Sequence, residues 1–221
     1  MKTRQSGFTL VEIAIVLVII GLLLGGILKG QEMITQAKIK NVISDFSGIA
    51  AAQYAYQDRY RQIPGDDSGA DARWTAAAAS LGATTGDGNG VLTGGYNNPT
   101  TAIKESNLYW NQLRLAGFVA GAGGVAAGAQ QPQNAASGMI GVQSGAGAAS
   151  MGFTSLMMCS AGLPDKIAIA VDTQLDDGNA QTGAVRAELQ TAANPNIVAI
   201  VPATDIYAET GTNQYVLCKS L

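Results

Sequence analysis

The sequence contains no histidine, and this absence removes several classes of function. Ser-His-Asp and Cys-His catalysis, imidazole-ligated zinc and acid–base chemistry near neutral pH all depend on that side chain. Cysteine is almost as scarce, because Cys159 and Cys218 are the only two and are too few for a zinc cluster. We therefore predict that the chain is not an enzyme.

Charged residues are also sparse, at 13% of 221 residues, and acidic side chains outnumber basic ones by 16 to 13. The net charge of −3 argues against a nucleic-acid partner, because binding such a partner needs a basic face. The length fits one ordinary domain, or one domain with a long appendage.

Polar residues are nearly missing from a long stretch close to the amino terminus. After the short basic segment 1–7, residues 8–28 carry a single charge, that of Glu12. As a helix this stretch would span about 30 Å, the thickness of a bilayer core. A signal peptide is the weaker interpretation, since no small-residue cleavage site follows. With Lys2 and Arg4 held in the cytoplasm, the stretch predicts a membrane span whose later residues lie outside the cytoplasm.

A plain membrane anchor does not explain the position of Glu12. A carboxylate within an apolar span costs about 2.5–3.5 kcal/mol at the bilayer centre, and less near the interface. We therefore expect Glu12 to have a partner of opposite charge.

The segment Gly7-Phe8-Thr9-Leu10-Val11-Glu12 resembles the processing site of the type IV pilin superfamily. The resemblance implies that prepilin peptidase cuts after Gly7 and N-methylates Phe8 as the new first residue. It also implies that Glu12 pairs with the amino terminus of a neighbouring subunit in a filament. Such pairing neutralises two charges that are each costly alone in lipid. The stretch 56–66 is similar to a group of bacterial prepilin-type proteins.

The same resemblance implies an α+β fold, in which a long amino-terminal helix packs on a carboxy-terminal antiparallel sheet. We expect a leader peptide at 1–7, the transmembrane and assembly half of the helix at 8–28, its amphipathic half at 29–62, and a head at 63–221. The helix is consistent with the residues themselves, because no proline occurs from Phe8 to Tyr60.

Periodicity and turn residues predict further elements in the head. One helix is expected at 106–118 with Ser106 as its N-cap, and another at 163–175 with Pro164 in its first turn. The glycine- and alanine-rich stretch 116–150 predicts mainly loop. Strands are expected at Met139–Val142, Phe153–Met158, Ala184–Leu189, Ile197–Val201 and Tyr215–Cys218, in a sheet of four or five strands.

Two loops carry oxygen side chains at a spacing that suits a hard cation. Asp87 and Asn89 alternate with glycine in the first loop, and Asp176, Asp177 and Asn179 form the second. Polar turns are the alternative interpretation for both. Because related pseudopilins use calcium in this region of the fold, the resemblance favours calcium as a cofactor.

Cys159 and Cys218 predict one disulfide, provided that the head lies outside the cytoplasm. Closing a loop of this length contributes on the order of 4 kcal/mol at most. The resemblance points the same way, since pilins commonly fasten their carboxy-terminal segment with a disulfide.

The expected function is that of a structural subunit in a type IV pilus-like filament. Such a subunit is held in the inner membrane, processed by prepilin peptidase, and polymerised with copies of itself by inner-membrane assembly machinery. Two alternatives remain open at this point. One is a periplasmic type II secretion pseudopilin, and the other is a minor or tip pilin acting in adhesion.

Overall fold

The structure is a computed structural model that describes residues 9–76, 85–123 and 126–221. The chain divides into two units, Met1–Lys38 and Ile39–Leu221. Two short 3₁₀ helices are Ala126–Ala129 and Ala148–Ser150. The longer described elements are, in chain order, α1 (Leu10–Tyr60), α2 (Ala70–Arg73), α3 (Glu105–Leu115), β1 (Ile140–Ser144), β2 (Leu156–Pro164), α4 (Asp165–Leu175), β3 (Val185–Leu189) and β4 (Gln214–Ser220).

Helix α1 runs for 51 residues without a break, as expected from the lack of proline. In the first unit nearly all of its described residues are exposed. In the second unit one face is buried, at intervals of three and four residues, as the spacing of Ile39, Val42, Phe46 and Ile49 predicted. This face consists of Ile39, Val42, Phe46, Ile49, Ala52, Gln53 and Tyr56. The division of the helix into halves at 8–28 and 29–62 stays a prediction.

The four strands form one antiparallel sheet in the order β1-β2-β4-β3, so the predicted α+β class is confirmed. One sheet face shares a buried cluster with α3, α4 and the buried face of α1. The other face carries a second, smaller cluster that contains both cysteines. The two clusters follow from strand alternation, because neighbours such as Leu217 and Cys218 point to opposite faces.

The predicted boundary between the second strand and the following helix was wrong. β2 begins at Leu156 rather than Phe153 and continues through Pro164, so α4 starts only at Asp165. An irregularity between Ser160 and Leu163 lets the strand continue, because Gly162 adopts a φ of +67°.

The predicted strand at Ile197–Val201 is also wrong, since this segment has no strand partner. Its backbone groups bind loops and side chains instead. The Val198 carbonyl accepts from the Met151 amide at 3.0 Å, and the Val201 amide donates to Asp205 Oδ2 at 2.6 Å. The alternation of apolar residues predicted a strand here because it does not show which groups the backbone bonds to.

Helix α3 differs from its prediction at both ends. It begins at Glu105, with Ser106 inside the first turn instead of at the N-cap. It ends at Leu115 because Gly117, with a φ of +79°, closes the helix. The Phe118 amide then bonds back to the Leu113 carbonyl at 3.0 Å.

In the stretch 116–150 the strand predicted at Met139–Val142 is present as β1, and the described residues also form two 3₁₀ helices that the composition did not predict. The glycines of this stretch allow backbones to approach closely. A Cβ atom on Gly141 would lie 2.0 Å from the Tyr96 carbonyl oxygen, and one on Gly138 would lie 1.7 Å from that of Ala161. Low side-chain volume therefore favours tight packing here rather than loop.

Candidate functional site

The first turn of α1 positions Glu12 against Thr9. Glu12 Oε2 accepts from the Thr9 amide at 2.8 Å and from the Thr9 hydroxyl at 2.7 Å. The Glu12 amide donates in return to Thr9 Oγ1 at 3.3 Å, which completes a capping box. Among the described residues, no donor contacts Glu12 Oε1. The carboxylate is thus oriented by its own chain through one of its two oxygens.

Apart from Glu12, residues 10–28 of the first unit present an apolar surface. The helix is long and apolar enough to cross a membrane, and none of its most apolar window is buried. Leu10 is 88% exposed and Leu22 is 73% exposed, although such side chains are normally covered. The large side chains that share this exposure are Leu10, Val11, Ile13, Ile15, Val16, Leu17, Val18, Ile19, Ile20, Leu22, Leu23, Leu24, Ile27 and Leu28.

Gly7 and Phe8, the predicted cleavage and methylation positions, lie outside the described residues. Cleavage and methylation there stay predictions, as does pairing of Glu12 with a neighbouring chain.

The predicted disulfide between Cys159 and Cys218 is confirmed. The two residues lie directly opposite each other on β2 and β4, and their side chains are fully buried. The link therefore joins the two central strands of the sheet and closes the chain segment that contains α4 and β3.

The first predicted cation loop is part of a carboxylate cluster that the sequence spacing did not identify. Oxygens of Asp66, Asp87 and Glu105 lie within 4.8 Å of one another. Asn89 takes a different role, because its amide nitrogen donates to Asp87 Oδ2 at 2.7 Å. Three carboxylates are suitable ligands for a calcium ion. Asp66 and Glu105 therefore join Asp87 as candidate ligands, and Asn89, which the sequence analysis named, does not.

Backbone amides hold this cluster in position. Asp66 accepts from Gly88 at 2.8 Å and from Gly90 at 2.7 Å. Glu105 accepts from the Asp87 amide at 3.0 Å. Burial raises the pKa of the Asp66 carboxyl, the Gly90 and Gly88 amides oppose this, and the nearby Asp87 and Glu105 carboxylates add to the rise.

The second predicted loop is arranged in a similar way. Asp172, Asp176 and Asp177 have oxygens within 4.8 Å of one another, whereas Asn179 Oδ1 accepts from the Gln181 amide at 3.1 Å. Burial raises the pKa of the Asp172 carboxyl, against the effect of a hydrogen bond from Tyr207. Calcium binding at either cluster stays a prediction.

A buried polar network at the end of α1 was missed by the sequence analysis. The Tyr56 hydroxyl donates to Asp67 Oδ2 at 2.6 Å, and Arg73 forms an ion pair with the same carboxylate. The Arg73 guanidinium also lies 4.5 Å from the centre of the Tyr60 ring. The adjacent carboxylates Asp66 and Asp67 were the one sign of this network in the sequence. Their different hydrogen-bond partners depend on the fold.

Comparison with family models matched residues 2–28 to the prokaryotic N-terminal methylation motif. The match includes Gly7, Phe8 and Glu12 and covers the whole apolar stretch 8–28. Comparisons with curated proteins and with solved structures gave no significant match.

Proposed function

We propose that this chain, a pilin-like or pseudopilin-like prepilin by its amino-terminal methylation motif, is the structural subunit of a type IV pilus-like filament. Prepilin peptidase cuts the chain after Gly7 and methylates Phe8. The mature chain then polymerises with copies of itself through α1. The motif belongs to structural proteins rather than enzymes, which agrees with the lack of histidine.

The apolar surface of the first unit is the observation that carries this proposal. An uncovered helix of this kind is stable only where lipid or other apolar helices surround it. Before assembly the inner membrane covers it, with residues 1–7 on the cytoplasmic side. In the filament, helices of neighbouring copies take the place of lipid. Because both surroundings are apolar, packing and polar contacts decide between them, and assembly machinery supplies the work of extraction.

Glu12 favours the filament over the membrane state. In lipid its carboxylate is satisfied in part by Thr9, through bonds to one oxygen only. In the filament the methylated ammonium of a neighbouring Phe8 meets the second oxygen. Pairing removes the penalty of two separate charges in an apolar environment, so the assembled state gains relative to the membrane state.

The alternatives within the superfamily differ in where the mature chain ends up. A type II secretion pseudopilin remains in the cell envelope, and a minor or tip pilin enters fibres in small amounts. Both share the amino-terminal motif and the apolar helix with a major subunit. The proposed surface filament is therefore tested by location as well as by processing.

The deciding experiment measures the intact mass of the protein from sheared surface fibres and from membranes. Loss of residues 1–7 with one added methyl group, found abundantly in fibres, is the expected result. The mature mass found only in membranes would replace the pilus subunit by a pseudopilin or rare minor subunit. An uncut chain in both fractions would contradict the processing itself.

A further inference from the structure

The second sheet face buries the disulfide within an apolar cluster. Cys159 and Cys218 are 0% exposed, so reductants and oxidising thiols in solution do not reach the sulfur atoms in the closed structure. Access requires that something covering this face moves. The buried members of the cluster are Tyr96, Met151, Phe153, Met157, Cys159, Ala161, Ile197, Val216 and Cys218.

One part of this covering is attached much less firmly than the rest. In the segment 191–204, which we name the cover, Ile197 is the one buried residue. Ile197 belongs to the disulfide cluster and the half-buried Ile200 packs against it, whereas Val198 and Val201 are each 47% exposed. A segment with one buried and one half-buried apolar side chain and no strand pairing opens at a lower free energy than the paired strands beside it.

The polar contacts of the cover are made with loops and side chains and not with a paired strand. The Val201 amide donates to Asp205 Oδ2 at 2.6 Å, Gln181 Nε2 donates to the Pro202 carbonyl at 3.1 Å, and Asn97 Nδ2 donates to Asn196 Oδ1 at 3.0 Å. The Val198 carbonyl accepts from the Met151 amide at 3.0 Å, and the Val198 amide reaches Glu188 Oε2 at 3.3 Å. Asn97 donates to the Asn194 carbonyl at 2.9 Å. Water can replace each of these partners when the cover opens, so their loss opposes opening only weakly.

Firm anchors mark both ends of the cover. At one end the Gln190 amide donates to the Gln214 carbonyl at 2.8 Å, and Gln190 Oε1 accepts from the Gly162 amide at 2.7 Å. At the other end Asp205, which is 3% exposed, accepts from the Leu189 amide at 3.2 Å. These anchors attach to the sheet and to β2, so the segment between them can move while the sheet stays paired.

One buried polar atom in the disulfide cluster favours opening of the cover. Within the described residues, the Tyr96 hydroxyl has no hydrogen-bond partner. Burial raises the pKa of the Tyr96 hydroxyl, and the carboxylate of Glu188, which contacts the cover, adds to this. An unsatisfied buried donor destabilises the closed form, and water admitted by opening would satisfy it.

We propose that residues 191–204 form a hinged cover whose local opening, with the sheet still folded, is the route to the Cys159–Cys218 disulfide. Ile197 is the plug that holds the cover closed. A small reductant, or the active-site cysteine of a thiol–disulfide oxidoreductase, reaches the sulfur atoms through this opening. The device is independent of whether the chain builds a surface fibre or a shorter filament.

The test uses the full-length chain in detergent micelles, treated with a phosphine reductant while an alkylating agent traps the free thiols. Mass spectrometry follows the doubly alkylated chain at increasing urea concentrations below the unfolding transition. We expect the reduction rate to be insensitive to urea at low concentrations, because local opening exposes little surface. If the logarithm of the reduction rate instead rises with urea from zero concentration, with the slope measured for global unfolding, the proposed opening of the cover is wrong.

Two variants separate the plug from its neighbour. Ile197→Ala should speed reduction in the absence of urea by roughly tenfold or more, because it removes the one buried side chain of the cover. Val198→Ala, at an exposed position of the same segment, should stay within about twofold of the unaltered chain. Equal rates in both variants would refute the role of Ile197.

Amide hydrogen exchange checks that the sheet remains folded in the same samples. In Ile197→Ala, peptides from the cover should exchange faster while peptides from β4 keep the protection of the unaltered chain. Faster exchange in β4 by the same factor as the gain in reduction rate would mean that the variant acts by global unfolding, which contradicts a local route.

Discussion

The two units of the molecule place their apolar side chains in opposite environments. The first unit exposes residues such as Leu10 and Leu22, whereas the second buries residues of the same kind, such as Leu113 and Leu217, completely. The second unit therefore satisfies its own hydrophobic residues within one chain. The described residues of the first unit do not, and this difference is the physical basis for the assembly through α1 that we propose.

Carboxylates show the same contrast. Asp67 in the second unit is fully buried and is met by the Tyr56 hydroxyl, the Arg73 guanidinium and the Gly69 amide. Among the described residues, Glu12 in the first unit is met only by Thr9, a residue within its own helical turn. Asp67 is therefore satisfied within the head, whereas for Glu12 we propose that a neighbouring molecule supplies the second partner.

The largest expected effect tests this proposal directly. Glu12→Gln removes the charge and keeps the shape, so the proposed pairing with a neighbouring amino terminus is lost. We expect processing to continue and the yield of sheared fibres to fall at least about tenfold. Intact mass and quantified fibre protein measure the two steps separately.

Glu32→Gln is the matched control on the same helix, because Glu32 forms an exposed ion pair with Lys29 at 2.7 Å. Such pairs contribute about 0–1 kcal/mol, and fibre yield should hardly change. A normal fibre yield from Glu12→Gln would contradict the pairing and leave the family assignment intact.

The second prediction uses glycines to contrast the two kinds of environment. Gly141→Ala places a Cβ atom 2.0 Å from the Tyr96 carbonyl oxygen and should lower the free energy of unfolding by about 1–3 kcal/mol. Gly48→Ala on α1 meets nothing within 4 Å and should raise helix stability by about 0.5–1 kcal/mol. Urea unfolding of the full-length chain in detergent measures both. Opposite signs are expected, and a neutral Gly141→Ala would contradict the close backbone contact.

The smallest effect concerns calcium, which would bring an outside charge into the head. With calcium at ten times its dissociation constant, the free energy of unfolding should rise by about 1.4 kcal/mol. Asp87→Asn should remove most of this gain, whereas Asp58→Asn, at an exposed ion pair with Arg61, should retain it. An unchanged unfolding midpoint on adding calcium, or an equal loss in both variants, would refute the site.

Several features could be predicted because they depend on neighbours in sequence. The unbroken α1 follows from the lack of proline, and its buried face in the second unit follows from the spacing of Ile39, Val42 and Phe46. The disulfide followed from there being just two cysteines. The start of β2 at Leu156 and the lack of a strand at Ile197–Val201 could not be predicted in this way. Alternation does not show which backbone groups find a strand partner.

The sequence by itself determined the parts of this protein whose physics is local: the methylation motif, the apolar span and the long helix. It also allowed only one cysteine pair, although 59 residues separate the two cysteines. Only the tertiary structure decided how Asp66, Asp87 and Glu105 gather, how Asp67 is satisfied by Tyr56 and Arg73, and how Ile197 joins the buried cluster around the disulfide. Local patterns act over one or two helical turns, where spacing fixes geometry. Contacts between distant segments depend on chain folding as a whole, and a sequence pattern does not encode them residue by residue.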